Sequence, residues 1–316
     1  MNTPAFHAGE QAWQSEVGVR ERLEAVGRMV IRDHMPEQHR ELFGKLPTLL
    51  LAVQDASGQP WATMLQGPPG FTDSPDARTL RIHALPAADD PVRPWLTEGA
   101  PVGLLGLEPH TRRRNRANGR LQAVGPGGIE VAVAQSFGNC PKYIHARRPQ
   151  ADATLTPRPA EALGPMLDEA AIAWLRRADT FFIATASAAQ PGSDWTEGVD
   201  VSHRGGRPGF VHVAVHDADG APCLRLTVPD YSGNLHFNTL GNLRVWPQAG
   251  LLVPDFDDGS LLHLAAEASV TAEGPALAAH PGALRLLHLD VRGGWRRPQA
   301  LPLRWTPAEP PPQLLP

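Results

Sequence analysis

The chain has 316 residues, 42% of them hydrophobic and 20% charged, with a formal net charge of −4 and a pI of about 6.3. That length allows two cores, and so mild an acidity creates no field that would gather nucleic acid or an anionic membrane. Cys140 and Cys223 are the only cysteines, too few for a disulfide scaffold or a structural zinc site.

The first residues lack a basic head followed by an apolar run, and no apolar segment approaches the ~18 residues of a spanning helix. A cytoplasmic protein without membrane contact is therefore expected. The 33 prolines and 30 glycines fall between short apolar runs rather than in one linker, which predicts a mainly β fold of barrel type with flanking helices.

Val19, Leu23, Val26 and Val30 recur at helical spacing and predict one helix over residues 10–34, closed by Pro36 and carrying no chemistry. Residues 46–53 read as a buried strand, 55–60 as a turn and 61–65 as its hairpin partner. Further strands are expected over 79–84 and 102–107. The basic run at 111–116 has four arginines and no interleaved aromatic residue; it reads as a solvated edge turn rather than a nucleic-acid contact.

The same order of events recurs in the second half. Residues 48–52 parallel 180–184, 69–71 parallel 208–210, and Leu104-Leu105 parallels Leu251-Leu252, at offsets of 132, 139 and 147 residues by subtraction. Two copies of one unit in tandem are the economical interpretation. The boundaries are a helical segment over 1–40, a first unit over 41–155 and a second over 156–316, with a helix at 165–177 leading into the second.

Chemistry concentrates in residues 198–242. Val201, Ser202, His203, Arg204 and Gly205 end a strand-like run and offer a hydroxyl, a guanidinium and unobstructed backbone N–H groups. Tyr231, Ser232, Gly233 and Asn234 form a turn at an expected helix start, which continues through Thr239, Leu240 and Asn242. Such donors at a strand end and a helix start suit a phosphate group.

The segment Val201-Ser202-His203-Arg204-Gly205-Gly206-Arg207-Pro208-Gly209-Phe210 is followed by Pro229-Asp230-Tyr231-Ser232-Gly233-Asn234 and by Leu251-Leu252-Val253-Pro254-Asp255. In order and spacing these blocks resemble the FMN-binding split-barrel proteins related to pyridoxamine 5'-phosphate oxidase. The resemblance implies two split β-barrels in tandem, forming an intrachain pseudo-dimer with FMN where they meet. In the first copy the cradle reads Leu65-Gln66-Gly67-Pro68, without hydroxyl or cation. That copy is instead followed by Asn139-Cys140-Pro141-Lys142 and two arginines, whereas the second is followed by residues 291–295 without a lysine. One composite site is therefore expected, joining the second-copy residues named above to Asn139, Cys140 and Lys142.

Within that site the resemblance puts phosphate on Ser202, Arg204 and Asn234, and the flavin ring edge on backbone groups of Val201 and Ser202. His203 reads equally well as a hydrogen-bonding residue, and Cys140 as a buried thiol. His212 and His216 lack a third ligand, so no metal site is expected. No catalytic acid or base is assigned, since the flavin carries the redox chemistry. The implied activity is that of an oxidoreductase passing hydride or electrons through FMN to or from a small-molecule substrate. A reductase partner would be a separate protein, since the chain ends at Pro316, and a homodimer of whole chains stays open. The alternative is a non-catalytic flavin carrier or sensor. Pyridoxamine-phosphate oxidation itself suits the chain less: that enzyme's Arg-Lys pair reads Gly233-Asn234, and its tryptophan-to-arginine tail is not evident.

Overall fold

The computed structural model describes residues 4–192, 194–218 and 220–314. Its architecture follows from strands whose two faces are both buried. In β1 (Thr48–Gln54), Leu49, Leu51 and Val53 face one core while Leu50 and Ala52 face another. Alternation along a strand produces this division, and two buried faces make the strand read as one apolar run. A slip of one residue would exchange the two faces. The turn into β2 (Pro60–Gln66) is held by the Asp55 carboxylate, which accepts from the N–H groups of Ser57 and Gln59 at 2.9 and 3.1 Å.

The first sheet is completed by β3 (Thr72–Asp73), β4 (Thr79–Ile82), β5 (Pro101–Glu108), β6 (Arg113–Gly125) and β7 (Gly128–Gly138), in the order β2-β1-β5-β6-β7-β4-β3. After β8 (Pro149–Ala151) and β9 (Glu161–Leu163) come β10 (Thr180–Ala186), β11 (Val199–Gly205), β12 (His212–Ala218), β13 (Ala221–Asp230), β14 (Gln248–Pro254), β15 (Leu261–Thr271) and β16 (Arg285–Arg297). The second sheet runs β11-β10-β14-β15-β16-β13-β12, with β9 added beside β16. Strand for strand, the second order repeats the first. The register repeats too: Leu50 pairs with Leu105 as Phe182 pairs with Leu252, at the offsets of 132 and 147 read from the sequence. β17 (Leu303–Trp305) pairs with β8 in a small third sheet.

The chain is mainly β, and no closed barrel forms among the described residues. No helix among them is long and apolar enough to cross a membrane. Each large sheet covers a core of its own. A third core lies between them, built from Leu50, Ala52 and Leu105 of one and Phe182, Ala184 and Leu252 of the other. The contacts across it are reciprocal, β2 on β14 and β11 on β5. Small residues allow this approach. A Cβ on Gly103 would lie 2.5 Å from the Val199 carbonyl oxygen, and one on Gly250 would lie 2.1 Å from that of Pro60.

Helices differ from expectation at three points. Residues 10–34 form two helices, α1 (Ala8–Glu16) and α2 (Arg20–Val30), because Gly18 takes φ +70 and turns the chain between them. A further helix, α3 (Glu37–Lys45), follows Pro36, which starts it rather than only ending its predecessor. α4 (Glu169–Arg177) begins at Asp168, whose side chain accepts from the Ala171 N–H at 2.8 Å. α5 (Asn238–Val245) and the short α6 (Pro275–Ala278) complete the set.

Candidate functional site

Where β6 of the first sheet crosses β11 of the second, two alternating rows of polar side chains meet. From β11 come Asp200, Ser202 and Arg204; from β6 come Asn118, Arg116 and Arg114. Asn118 Nδ2 donates to Asp200 at 2.6 Å. Arg116 pairs with Asp200 and donates to Ser202 Oγ at 2.5 Å and the Val201 carbonyl at 3.2 Å. At the third step two guanidinium groups, Arg114 and Arg204, stand near each other. The charges balance at one end of the rows and fail to balance at the other.

That unbalanced end opens into a cleft of about 140 Å³. The segment after β7 brings Asn139, Cys140 and Lys142 to it from the first half. His145 Nε2 on the Gly206 carbonyl at 2.8 Å and Arg147 on Asp179 at 2.6 Å pin this segment over the end of β11. The fit is close: a Cβ on Gly205 would lie 2.1 Å from the Tyr143 carbonyl oxygen. Tyr143 also stacks on Tyr231 with ring centroids 5.9 Å apart, joining the two halves across the cleft.

The far wall is the loop between β13 and α5. Five described non-glycine residues have positive φ, and three of them, Tyr143, Leu235 and Phe237, line this cleft. Each costs about 1–2 kcal/mol relative to ordinary backbone, and such strain concentrates at functional sites. Phe237 precedes α5 with φ +64 and gives the helix no side-chain cap, so its first-turn N–H groups are free to receive an acceptor at the cleft wall. Arg285 sits 4.9 Å from the Phe237 ring centroid and pairs with Asp230 at 3.0 Å.

Arg114, Arg116, Lys142, Arg204 and Arg285 line the cleft, and Asp230 is the one carboxylate among its lining residues. Asp230 is shared by Arg285 and, at 3.8 Å, Arg204. Arg114 donates Nε to the Cys140 carbonyl at 2.9 Å, and among the described residues no carboxylate pairs with it. Burial, with Arg116 and Arg204 adding to it, pushes its pKa down to about 10. Two buried donors nearby, Arg116 Nε and Asn139 Nδ2, lack acceptors. Half-buried cations without a carboxylate, and buried donors without acceptors, are costly unless an acceptor arrives, which marks the cleft as a place for an anion.

Of the residues expected to bind a cofactor, Ser202, His203, Arg204, Gly205, Tyr231 and Gly233 line this one cleft, as do Asn234, Thr239, Leu240, Asn139, Cys140 and Lys142. Two do not. Val201 is buried in the middle core, because alternation turns it away from Ser202. Asn242 lies one helical turn beyond the cleft and donates to Asp200 at 2.7 Å, lining a second cavity. His203 faces Phe182, and burial, with Arg114 next, holds its pKa well below the usual value, so it is neutral.

Register revises three further readings. Ser202 pairs with Ile183 as Thr63 pairs with Leu51, so the first-half counterpart of residues 202–206 is 63–67, and the hydroxyl is retained there. The last strand of the second half runs on to Arg297, followed by Pro298-Gln299-Ala300. The helix expected at the Ser232-Gly233-Asn234 turn begins only at Asn238.

Arg114 and Arg116 went unread as site residues, because the basic run at 111–116 is not all edge turn. Only residues up to Arg112, with φ 56, form the tip; from Arg113 the chain is β6. Strand alternation, applied from Arg113 onward, would have found both. No family model matches the chain, and no curated protein matches it.

Proposed function

We propose that the chain is an FMN-binding flavoprotein of two tandem split β-barrels forming an intrachain pseudo-dimer, and that it acts as an oxidoreductase. The repeated strand order and the reciprocal contacts of β2 with β14 and β11 with β5 support the pseudo-dimer. The observation that carries the flavin reading is the cleft's charge: with Arg116 paired to Asp200, four further cations from both halves, Arg114, Lys142, Arg204 and Arg285, face Asp230 alone, and Arg116 Nε and Asn139 Nδ2 lack acceptors.

These residues fit FMN. Arg114, Lys142 and Arg204 would hold the phosphate dianion, helped by the uncapped start of α5. Arg116 Nε and Asn139 Nδ2 are donors suited to the carbonyl and hydroxyl oxygens of the rest of the cofactor. Tyr143 and Tyr231 offer aromatic faces. When bound, FMN supplies the hydride and electron chemistry; the chain binds, orients and shields it.

Titration of the purified chain with FMN tests this by visible absorption. One equivalent should bind. Arg204→Ala with Lys142→Ala should weaken binding about 100-fold or more, since each charge-assisted contact contributes about 1.5–3 kcal/mol. Two equivalents, or unchanged affinity in the double variant, would count against the composite site. Anaerobic bleaching of the loaded protein by NADH or NADPH, with reoxidation in air, supports the oxidoreductase. Bound flavin that no nicotinamide or ferredoxin donor reduces would assign the chain to the carriers.

A further inference from the structure

Beyond the Arg116–Asp200 pair lies a second cavity of about 310 Å³, walled in part by the N-terminal segment and sharing Asn238 with the first cleft. Two of its lining side chains hold polar atoms without partners. The His7 side chain is only 10% exposed. Its Nδ1 accepts the Gly9 N–H at 3.2 Å, which places the ring proton on Nε2. That Nε2–H makes no well-formed hydrogen bond; the nearest acidic oxygen, on Glu10, is 3.6 Å away, and the Asn242 side chain adjoins the ring. Asn118 commits its amide N–H to Asp200 and leaves Oδ1 without a donor.

The surroundings select a ligand class. Asp200, whose oxygens already accept from Arg116, Asn118 and Asn242, stands with Asp194 and Glu197 against Arg120 on this lining and disfavours a carboxylate, while buried Glu10, pushed up to about 8, is neutral there. An ammonium or amidinium would leave the His7 donor unanswered, which is costly for a buried group. A neutral group with one acceptor and one N–H satisfies both. We propose that this cavity binds a small neutral molecule through a carboxamide-like pair, His7 Nε2 donating to its oxygen and Asn118 Oδ1 accepting from its N–H.

The cationic cleft and the acidic cavity thus sort two ligands of different charge side by side. On the flavin reading the second is the place of the substrate; that assignment rests on the reading, while the binding itself does not.

Calorimetric titration of the purified full chain with benzamide, benzoate and benzamidine compares nearly isosteric neutral, anionic and cationic probes. Benzamide should bind about tenfold or more tighter than either charged probe. His7→Phe should lose about tenfold in benzamide affinity, and His7→Gln, which returns an N–H near the same place, should recover most of it. Asn118→Leu should show a similar loss, and it carries the test if His7→Phe fails to fold by its unfolding midpoint. Equal affinity for the three probes, no benzamide binding, or affinity indifferent to both side chains overturns the proposal. A chain that takes benzamide but no FMN overturns only the flavin reading, and one that takes FMN but no benzamide overturns only this one.

Discussion

The two halves of this chain share a strand order and a register, yet they treat equivalent clefts in opposite ways. Arg116 pairs with Leu105 as His263 pairs with Leu252. Each reaches across to the opposite hairpin, Arg116 to the Val201 carbonyl at 3.2 Å and His263 Nδ1 to the Ala62 carbonyl at 2.9 Å. By the same registers Arg204 corresponds to Leu65, Arg114 to Leu261 and Lys142 to Ala300. One cation enters in exchange, Arg297 at the place of Asn139, and Asp90 answers it at 2.7 Å while also accepting from Thr63 Oγ1 at 2.5 Å. A duplicated backbone thus builds two clefts, and charge decides which remains open to a ligand. At the equivalent place in the first half, a carboxylate of the chain itself answers the cation.

Removing that carboxylate should produce the largest effect. Asp90→Ala leaves Arg297, 4% exposed, with only Asp89 on its other nitrogen at 2.9 Å. The expected loss is about 3 kcal/mol of stability, as for other broken buried pairs. Inorganic phosphate should then raise the melting temperature of the variant more than that of the parent chain, since a bound anion stabilises by mass action. A variant as stable as the parent, or one indifferent to phosphate, would show that Asp90 does not stand in for a ligand.

The repeat was legible because β1 and β10 are apolar on both faces, so their sequences stand out as continuous runs and fix the 132-residue offset. Arg204 and Lys142 were legible because each sits in a short motif beside glycine or proline. Asp90 was not. Its role depends on Arg297, 207 residues away, and nothing local distinguishes it from a loop aspartate. Glu10 and His7 were missed for a related reason. α1 folds back on α5, with Gly9 and Gly241 so close that a Cβ on the former would lie 2.1 Å from the latter's carbonyl oxygen. Helical periodicity predicts a buried stripe but not which distant helix will cover it.

A smaller effect should appear along the pH axis, because the halves placed different groups at one position. The first half carries an arginine there, whereas in the second burial first, and Arg297 second among the lowering influences, push His263 down to about 4. Its folded pKa lies below the unfolded value of about 6.5. The unfolded chain therefore takes the proton first, and stability present above pH 6.5 is lost as pH falls toward 4. Near pH 5 this amounts to about 2 kcal/mol. His39 and His236, also pushed down to about 4 by burial, add in the same direction. Glu10 acts oppositely: burial and Asp200 push it up to about 8, so its contribution is full below pH 4.5 and lost as pH rises through 8. Urea unfolding from pH 4.5 to 9 should give a flatter acid limb in His263→Gln and a flatter alkaline limb in Glu10→Gln. Parallel curves for parent and variants would refute both assignments.

The smallest effect separates the clefts most cleanly. Ser202 and Thr63 hold equivalent positions, and among the described residues each hydroxyl makes one side-chain hydrogen bond, with Arg116 and with Asp90 respectively. A hydrogen bond of this kind contributes about 1 kcal/mol net, yet the two losses should register in different measurements. Thr63 bonds a group of the chain itself, so Thr63→Ala should lower stability by about 1–2 kcal/mol and leave FMN affinity unchanged. Ser202 lines the open cleft, and its Arg116 partner keeps Asp200 and the Val201 carbonyl. Ser202→Ala should therefore weaken FMN about fivefold and shift the unfolding midpoint less than Thr63→Ala does. Should both variants lose stability alike with flavin affinity intact, the distinction between an open cleft and a filled one would fail at the position where the two halves differ least.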